Sequence, residues 1–134
     1  ASPYVTFGAD MITGFPTESE KMFLNTYNLV RELKISHLHV FPYSVKSGTP
    51  ASKMPQVPLK IRRERAKLLR KLGKENLLHT LKSFSNKKHH ILIETTDGIG
   101  KTENNLTVKV NSSNKGSITE FIPTKINKNK LLIY

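Results

Sequence analysis

The 134-residue chain contains no cysteine. Disulfides, thiolate nucleophiles and any metal or cluster held by thiolates are therefore excluded from it. It has no apolar run near the ~20 residues that a membrane helix needs, and no signal peptide with an apolar core. No membrane partner is expected, and a cytoplasmic location is the default expectation. Acidic residues are scarce, ten against 22 Lys and Arg, for a net charge of +12. Hydrophobic residues make up 37% of the chain, enough for a core but not a large one. The length allows one medium domain or two small pieces. The chain opens Ala1-Ser2-Pro3-Tyr4, without Met, and runs directly into a strand pattern, so a piece of something longer is expected.

The positive charge is concentrated. Residues 1–58 carry a net +1 and residues 91–134 a net +2, whereas residues 59–90 hold eleven basic and two acidic side chains, a net +9. A segment of that density is the footprint of an element facing a polyanion, nucleic acid first. A solvated basic helix is the plainer alternative.

The stretch His37 to Pro58, HLHVFPYSVKSGTPASKMPQVP, says most. It begins as a buried-strand pattern and becomes an extended loop punctuated by Pro42, Gly48, Pro50, Pro55 and Pro58. Strands that run into such loops place working residues at the carboxyl end of an α/β sheet. Upstream, YVTFGADMITGF predicts a strand over roughly Thr6–Thr13, buried on both faces and parallel. Asp10 inside it is either paired in the interior or faces a cavity. Thr17 with Glu20 predicts a capping box for a helix reaching about Leu33, with Phe23, Tyr27, Val30 and Leu33 on its apolar face. A second strand follows over Leu38–Phe41, which makes a βαβ unit. Two strands do not form a stable sheet alone, so residues 1–58 read as a slice of a larger domain.

Pro58 opens a basic helix. Gly73 interrupts it, and a second helical piece runs to Ser85-Asn86. These linking helices, residues 59–87, are expected to join two bodies rather than to form a core. From His89 the period becomes two, with four strands separated by Gly and Asn turns, the pattern of a small OB-like β-barrel. His37/His39 and His89-His90 have no spacing suited to a metal, and no metal site or catalytic residue is expected in the chain.

The segments ADMITGFPTESEKMF, LHVFPYSVKSGTPASKMPQVP and RERAKLLRKL resemble the late part of the radical-SAM barrel of the methylthiotransferases, and ETTDGIGKTENNLTVKV resembles their TRAM domain. Within that family, HVFPYS, GTPA and MPQVP are most similar to the branch that thiomethylates threonylcarbamoyladenosine in tRNA. The resemblance implies an α/β plus all-β fold: a slice of the barrel (1–58), the linking helices (59–87) and a TRAM RNA-binding barrel (88–134). It implies S-adenosylmethionine and [4Fe–4S] clusters as cofactors of a full-length enzyme, and tRNA as partner. The clusters need thiolates that this chain lacks. The chain alone is therefore expected to be inactive, and an upstream half carrying the cysteines is an implied partner. In the S-adenosylmethionine pocket the resemblance places Asp10, Ile12 and Gly14 from one strand and the turn after it, with Val40 and Phe41 from the end of the next. Gly14 would let backbone approach the ligand and Ile12 would face adenine.

Arg62, Arg63 and Arg70 on the helix, with Lys101, Asn104, Asn105, Lys109 and Lys115 in the barrel, are the RNA-binding candidates. The helix and the barrel are expected to form one surface. Tyr43 and Ser44 are either substrate contacts or loop anchors. Two positions depart from the family pattern: Thr17 stands where many relatives have Gly, and Lys46 where Arg is common. Rival readings are a stand-alone RNA-binding module, a degraded gene remnant and a basic ribosome-associated protein.

Overall fold

The structure, a computed structural model, describes residues 5–134; the residues before them, including the Tyr4 end of the first alternation, lie outside the described residues. Packing divides the chain into two bodies, Phe7–Asn76 and Leu77–Tyr134, the second taking in Val5 and Thr6 as well.

The first body is the expected βαβ unit. Strand β1 (Gly8–Thr13) leads into helix α1 (Glu20–Glu32), which returns the chain to β2 (His37–Pro42). The two strands pair in parallel, with Gly8 opposite His37 and Thr13 opposite Pro42. Phe23 and Val30 of α1 are buried, and they pack with Ile35, Val40, Ala66, Leu69 and Leu72. Ala9, Met11 and Leu38 add the strand contribution to the same core. Helices therefore cover one face of the pair. The other face, with Asp10, Ile12, His39 and Phe41, is exposed, so the expectation of a strand buried on both faces fails for β1 as it stands here.

The capping box is also displaced. Ser19 is the N-cap, its hydroxyl accepting from Met22 N–H at 3.1 Å. Thr17 lies before the helix with φ at 72°, a left-handed backbone that a β-branched residue adopts only under strain.

One helix, α2 (Leu59–Phe84), replaces the two expected pieces. Gly73 does not break it. A Cβ there would come within 3.1 Å of Leu38 Cβ, so glycine allows helix and strand to approach closely. Nor is α2 only a linker. Ala66, Leu69 and Leu72 belong to the core of the first body, and Leu81 and Phe84 to that of the second. The packing boundary falls at Asn76–Leu77, inside the helix.

The second body is a six-stranded sheet rather than four strands. It consists of β3 (His89–Ile93), β4 (Ile99–Lys101), β5 (Thr107–Lys109), β6 (Ile118–Phe121), β7 (Ile126–Asn127) and β8 (Leu132–Ile133). The order is β6-β3-β4-β5-β8-β7, with only the β5–β8 pair parallel. Among the described residues the sheet is open, with β6 and β7 at its edges, where closure into a barrel was expected. Alternate residues of β3 point inward, and Ile91 and Ile93 join Leu106, Val108, Val110 and Ile133 in the core.

Candidate functional site

The carboxyl ends of β1 and β2 carry a cavity of about 330 Å³. Ile12, Phe41, Tyr43, Ser44, Lys46 and Thr49 are among its walls. Ile12 and Phe41 are register partners on the exposed face of the parallel pair, 59% and 56% accessible. Large apolar side chains so exposed beside a cavity offer a flat surface to a planar ligand. The Tyr43 ring is fixed by an edge-on contact with Phe15 and by the Arg62 guanidinium 5.9 Å from its centroid. Its hydroxyl is buried and has no hydrogen-bond partner among the described residues.

Of the five residues assigned to the cofactor from sequence, two line this cavity. Asp10 shares the exposed face with Ile12, opposite His39, but is not in the wall. Val40 is 4% exposed and belongs to the helix-covered core. Successive strand residues point to opposite faces, so Val40 and Phe41 cannot both flank one ring. Gly14 is buried with φ at 71°, and a Cβ on it would lie 2.1 Å from Arg62 Cγ. Arg62 and the backbone turn are by themselves enough to require glycine there. The signal for Tyr43 was its place directly after the second strand; that for Lys46 and Thr49 was the Pro/Gly loop itself.

The arginines of α2 divide in two. Arg62 Nε donates to Val57 O at 2.7 Å and Nη1 to Tyr43 O at 2.9 Å. Arg70 donates from Nη2 and Nε to Val40 O at 2.7 and 3.2 Å. Arg65, not singled out from the sequence, is buried against Glu18 at 2.7 Å. These guanidinium groups hold the first body together. Arg63 is exposed, as are Lys60, Lys67, Lys71 and Lys74. Their spacing of three and four residues puts all five on one helix face, opposite Ala66, Leu69 and Leu72. Over that span the helix rises about 21 Å.

In the second body, Lys101 donates from Nζ to Thr107 Oγ1 at 2.7 Å. Asn105 is exposed with φ at 64°, while the Asn104 side chain bonds Thr102 and its carbonyl accepts from Thr6 Oγ1 at 2.8 Å. Lys109 borders an open cavity of about 540 Å³ together with Asp97, Phe121 and Tyr134. A hydrogen bond from Thr95, and then the charge of Lys109, hold Asp97 below the usual carboxylate range. Lys115 is exposed on a turn. No described helix is long and apolar enough to cross a membrane.

No family model matches the chain. Individual relatives do. The threonylcarbamoyladenosine tRNA methylthiotransferase MtaB of Rickettsia prowazekii is 51% identical over 108 residues, 81% of this chain and 25% of that protein. A probable threonylcarbamoyladenosine tRNA methylthiotransferase of Methanocaldococcus jannaschii is 38% identical over 120 residues, 90% of this chain and 27% of that protein. The tRNA-2-methylthio-N(6)-dimethylallyladenosine synthase of Bacillus velezensis is 31% identical over 122 residues, 90% of this chain and 23% of that protein. The chain thus spans about a quarter of the length of the curated relatives it matches. A 120-residue match is longer than either body, so the similarity takes in both.

Proposed function

The chain belongs to the tRNA methylthiotransferase family by homology over most of its own length, and from that premise we propose that it works as the C-terminal portion of such an enzyme. The 51% identity to the Rickettsia prowazekii protein carries this reading. The reaction is the conversion of N6-threonylcarbamoyladenosine at tRNA position 37 to its 2-methylthio derivative. This portion contributes tRNA binding and one wall of an S-adenosylmethionine pocket. A remaining portion of the enzyme supplies the iron–sulfur clusters, because the 134 residues include no thiolate to hold one.

The cavity at the ends of β1 and β2 suits the adenosyl group of S-adenosylmethionine. Ile12 and Phe41 supply the apolar surface, and Tyr43, Ser44 and Lys46 stand in its wall. When bound, that cofactor supplies the methyl group and, beside a reduced cluster, the radical. The residues here bind and orient its adenosine and exclude water from one side of it. The small β domain is read as a TRAM domain, with Asn104, Asn105, Lys101 and Lys109 toward RNA.

Lys60, Arg63, Lys67, Lys71 and Lys74 form the electrostatic part of the tRNA contact. Cations spaced along one exposed face, with no internal hydrogen bond or ion pair among the described residues, neutralise phosphates without reading sequence. Fluorescence binding of a tRNA over a salt series tests this. The affinity should fall linearly on a log–log plot, and Lys67, Lys71 and Lys74→Gln together should flatten the slope by roughly two to three, at ~0.7–0.9 per phosphate. A slope that the triple variant leaves unchanged would remove the helix from the RNA contact. The stand-alone RNA-binding module is the weaker reading, because similarity confined to one body would then be expected and the match spans both.

A further inference from the structure

Two cavities of the second body meet at the same three side chains. One, of about 540 Å³, has Thr96 and Phe121 among its walls, and the other, of about 260 Å³, has Ile99 and Lys130. Asp97, Lys109 and Tyr134 line both. The sheet explains why the last two converge. Val108 of β5 and Ile133 of β8 are register partners in the parallel pair, and both are buried in the core. The next residue of each chain segment, Lys109 and Tyr134, therefore turns to the opposite face. The Tyr134 backbone is held from both sides. Its N–H donates to Lys125 O at 2.9 Å, and its carbonyl accepts from the Thr124 and Lys125 N–H groups at 2.9 and 2.8 Å. Its side chain is nevertheless 43% exposed.

Asp97 reaches the same place from the turn between β3 and β4. Gly98 has φ at 87° and its carbonyl accepts from Val110 N–H at 2.8 Å, which seats the turn against the end of β5. Thr95 Oγ1 donates to Asp97 Oδ1 and accepts from Ile99 N–H at 3.0 Å. An ionised carboxylate has about four acceptor sites, and this bond uses one, so both oxygens can still accept. The hydrogen bond from Thr95, and then the charge of Lys109, favour the ionised form. Among the described residues no ion pair joins Asp97 to Lys109, so the opposite charges border one cavity without meeting.

A ring, a cation and an anion around one open cavity match the parts of an unpaired nucleotide. The ring stacks on the base and the ammonium meets the phosphate. The carboxylate decides which base. It repels phosphate and can only accept hydrogen bonds, so its place in a cavity of a strongly basic chain suits a base edge rich in donors. On its Watson–Crick edge uracil offers one ring N–H, and adenine or cytosine one amino group. Guanine offers its N1–H and 2-amino group side by side, a match for two carboxylate oxygens. We propose that Asp97, Lys109 and Tyr134 form a guanine-selective subsite for an unpaired RNA base on the small β domain, with Asp97 as the residue that selects the base. That the ligand is RNA rests on the functional reading above; the selectivity rests on the chemistry of this cavity.

Fluorescence titration of the full chain at low salt tests it. The probes are short labelled oligouridines carrying one central guanosine, adenosine, cytidine or inosine. The guanosine probe should bind at least about fivefold more tightly than the adenosine and cytidine probes, the low end for a good bidentate contact. Inosine, which lacks the 2-amino group, should lose most of that advantage. Asp97→Asn keeps an oxygen for the Thr95 hydroxyl but exchanges one acceptor for a donor. It should abolish the guanosine preference and leave the urea unfolding midpoint in place, which a merely structural role for Asp97 would not do. Tyr134→Ala should weaken all four probes alike, by about five- to 150-fold, the range for one stacked base. Equal affinity for the guanosine and adenosine probes, or a preference that survives Asp97→Asn, would overturn the proposal. Displacement of the guanosine probe by an equal concentration of guanosine 5′-monophosphate would assign the cavity to a free nucleotide and overturn it too. Equal affinities beside salt-dependent tRNA binding would sink this subsite alone, whereas no binding of any RNA would sink the tRNA reading with it.

Discussion

Arg65 donates from one nitrogen, Nη1, to both the Glu18 carboxylate at 2.7 Å and the Glu18 carbonyl at 3.0 Å. The same carboxylate oxygen accepts the Gly14 N–H at 2.9 Å. The turn after β1 and the first part of α2 are thus tied through one largely buried acid, and the turn sits at the carboxyl end where the cavity opens. The Arg65 guanidinium also lies 5.5 Å from the Phe23 ring centroid.

Removing one member of a buried pair strands the other. The side chains of Arg65 and Glu18 are 10% and 15% exposed, so Glu18→Ala should cost about 3 kcal/mol, as measured by urea unfolding followed by circular dichroism. The Lys88–Glu120 pair is 60% and 57% exposed, and Glu120→Ala should cost far less than Glu18→Ala. Equal effects from the two substitutions would show that burial does not govern these pairs.

Thr17 offers a gain of stability. Its φ of 72° is cheap only for glycine, and a non-glycine residue held there stores roughly 1–3 kcal/mol. Thr17→Gly should raise stability by about 1 kcal/mol after the extra freedom of the unfolded chain is counted. Its N–H donates to Pro55 O at 3.2 Å, a bond that glycine keeps. A fall in the unfolding midpoint would contradict the strain.

His90 should titrate late. Its Nδ1 lies 2.9 Å from Glu103 Oε1 and its Nε2 3.2 Å from Glu120 Oε1. The Glu103 hydrogen bond first, with both carboxylate charges and the Glu120 hydrogen bond, raises its pKa above the ordinary 6.5 against the opposing effect of desolvation. Hydrogen bonds from His90 lower Glu103, and Lys88 followed by His90 lowers Glu120, both from 4.5. The histidine contribution is full below its unfolded pKa and is lost as pH rises through the raised value. The carboxylate contributions are full above 4.5 and are lost as pH falls through the depressed values. The trio is therefore fully engaged between about pH 4.5 and 6.5. Nuclear magnetic resonance of the His90 ring should give a midpoint above 6.5 that moves back toward it in Glu103→Gln. An unmoved midpoint would mean that the contact is absent in solution.

The periodicity made the βαβ unit legible, because two short apolar strands around a 3.6-period segment leave few alternatives. Helix entry was misread for a local reason. Thr17 and Ser19 are both capping residue types, and only the turn at Gly14, fixed by Arg62 and Glu18, decides which one caps. β4 and β7 hold three and two residues, too few to show a period, and Ile99 and Gly100 of β4 lie within what reads as a turn. The pairing of Val40 with Phe41 in one pocket could have been refused from strand alternation alone. The division of the arginines could not. A long side chain that folds back onto a carbonyl 30 residues away leaves no mark in the local pattern.

Arg62 and Arg63 are adjacent in sequence and should behave in opposite ways. Arg62 donates to Val57 O and Tyr43 O, its stem packs over Gly14, and its own carbonyl accepts from Thr13 Oγ1 at 2.9 Å. Arg63 is exposed on the lysine face. Charged hydrogen bonds to buried carbonyls contribute about 1.5–3 kcal/mol, so Arg62→Gln should lower stability by about 2 kcal/mol. Measured well below its unfolding temperature, that variant should keep the salt slope of tRNA binding. Arg63→Gln should stay within about 0.5 kcal/mol of the parent in stability, since nothing internal is removed. It should nevertheless reduce the salt slope by ~0.7–0.9, the release from one phosphate. Urea unfolding and the tRNA salt series, run on both variants, separate the two roles. A loss of slope in Arg62→Gln without a loss of stability would move Arg62 from the packing of the βαβ unit to the RNA surface.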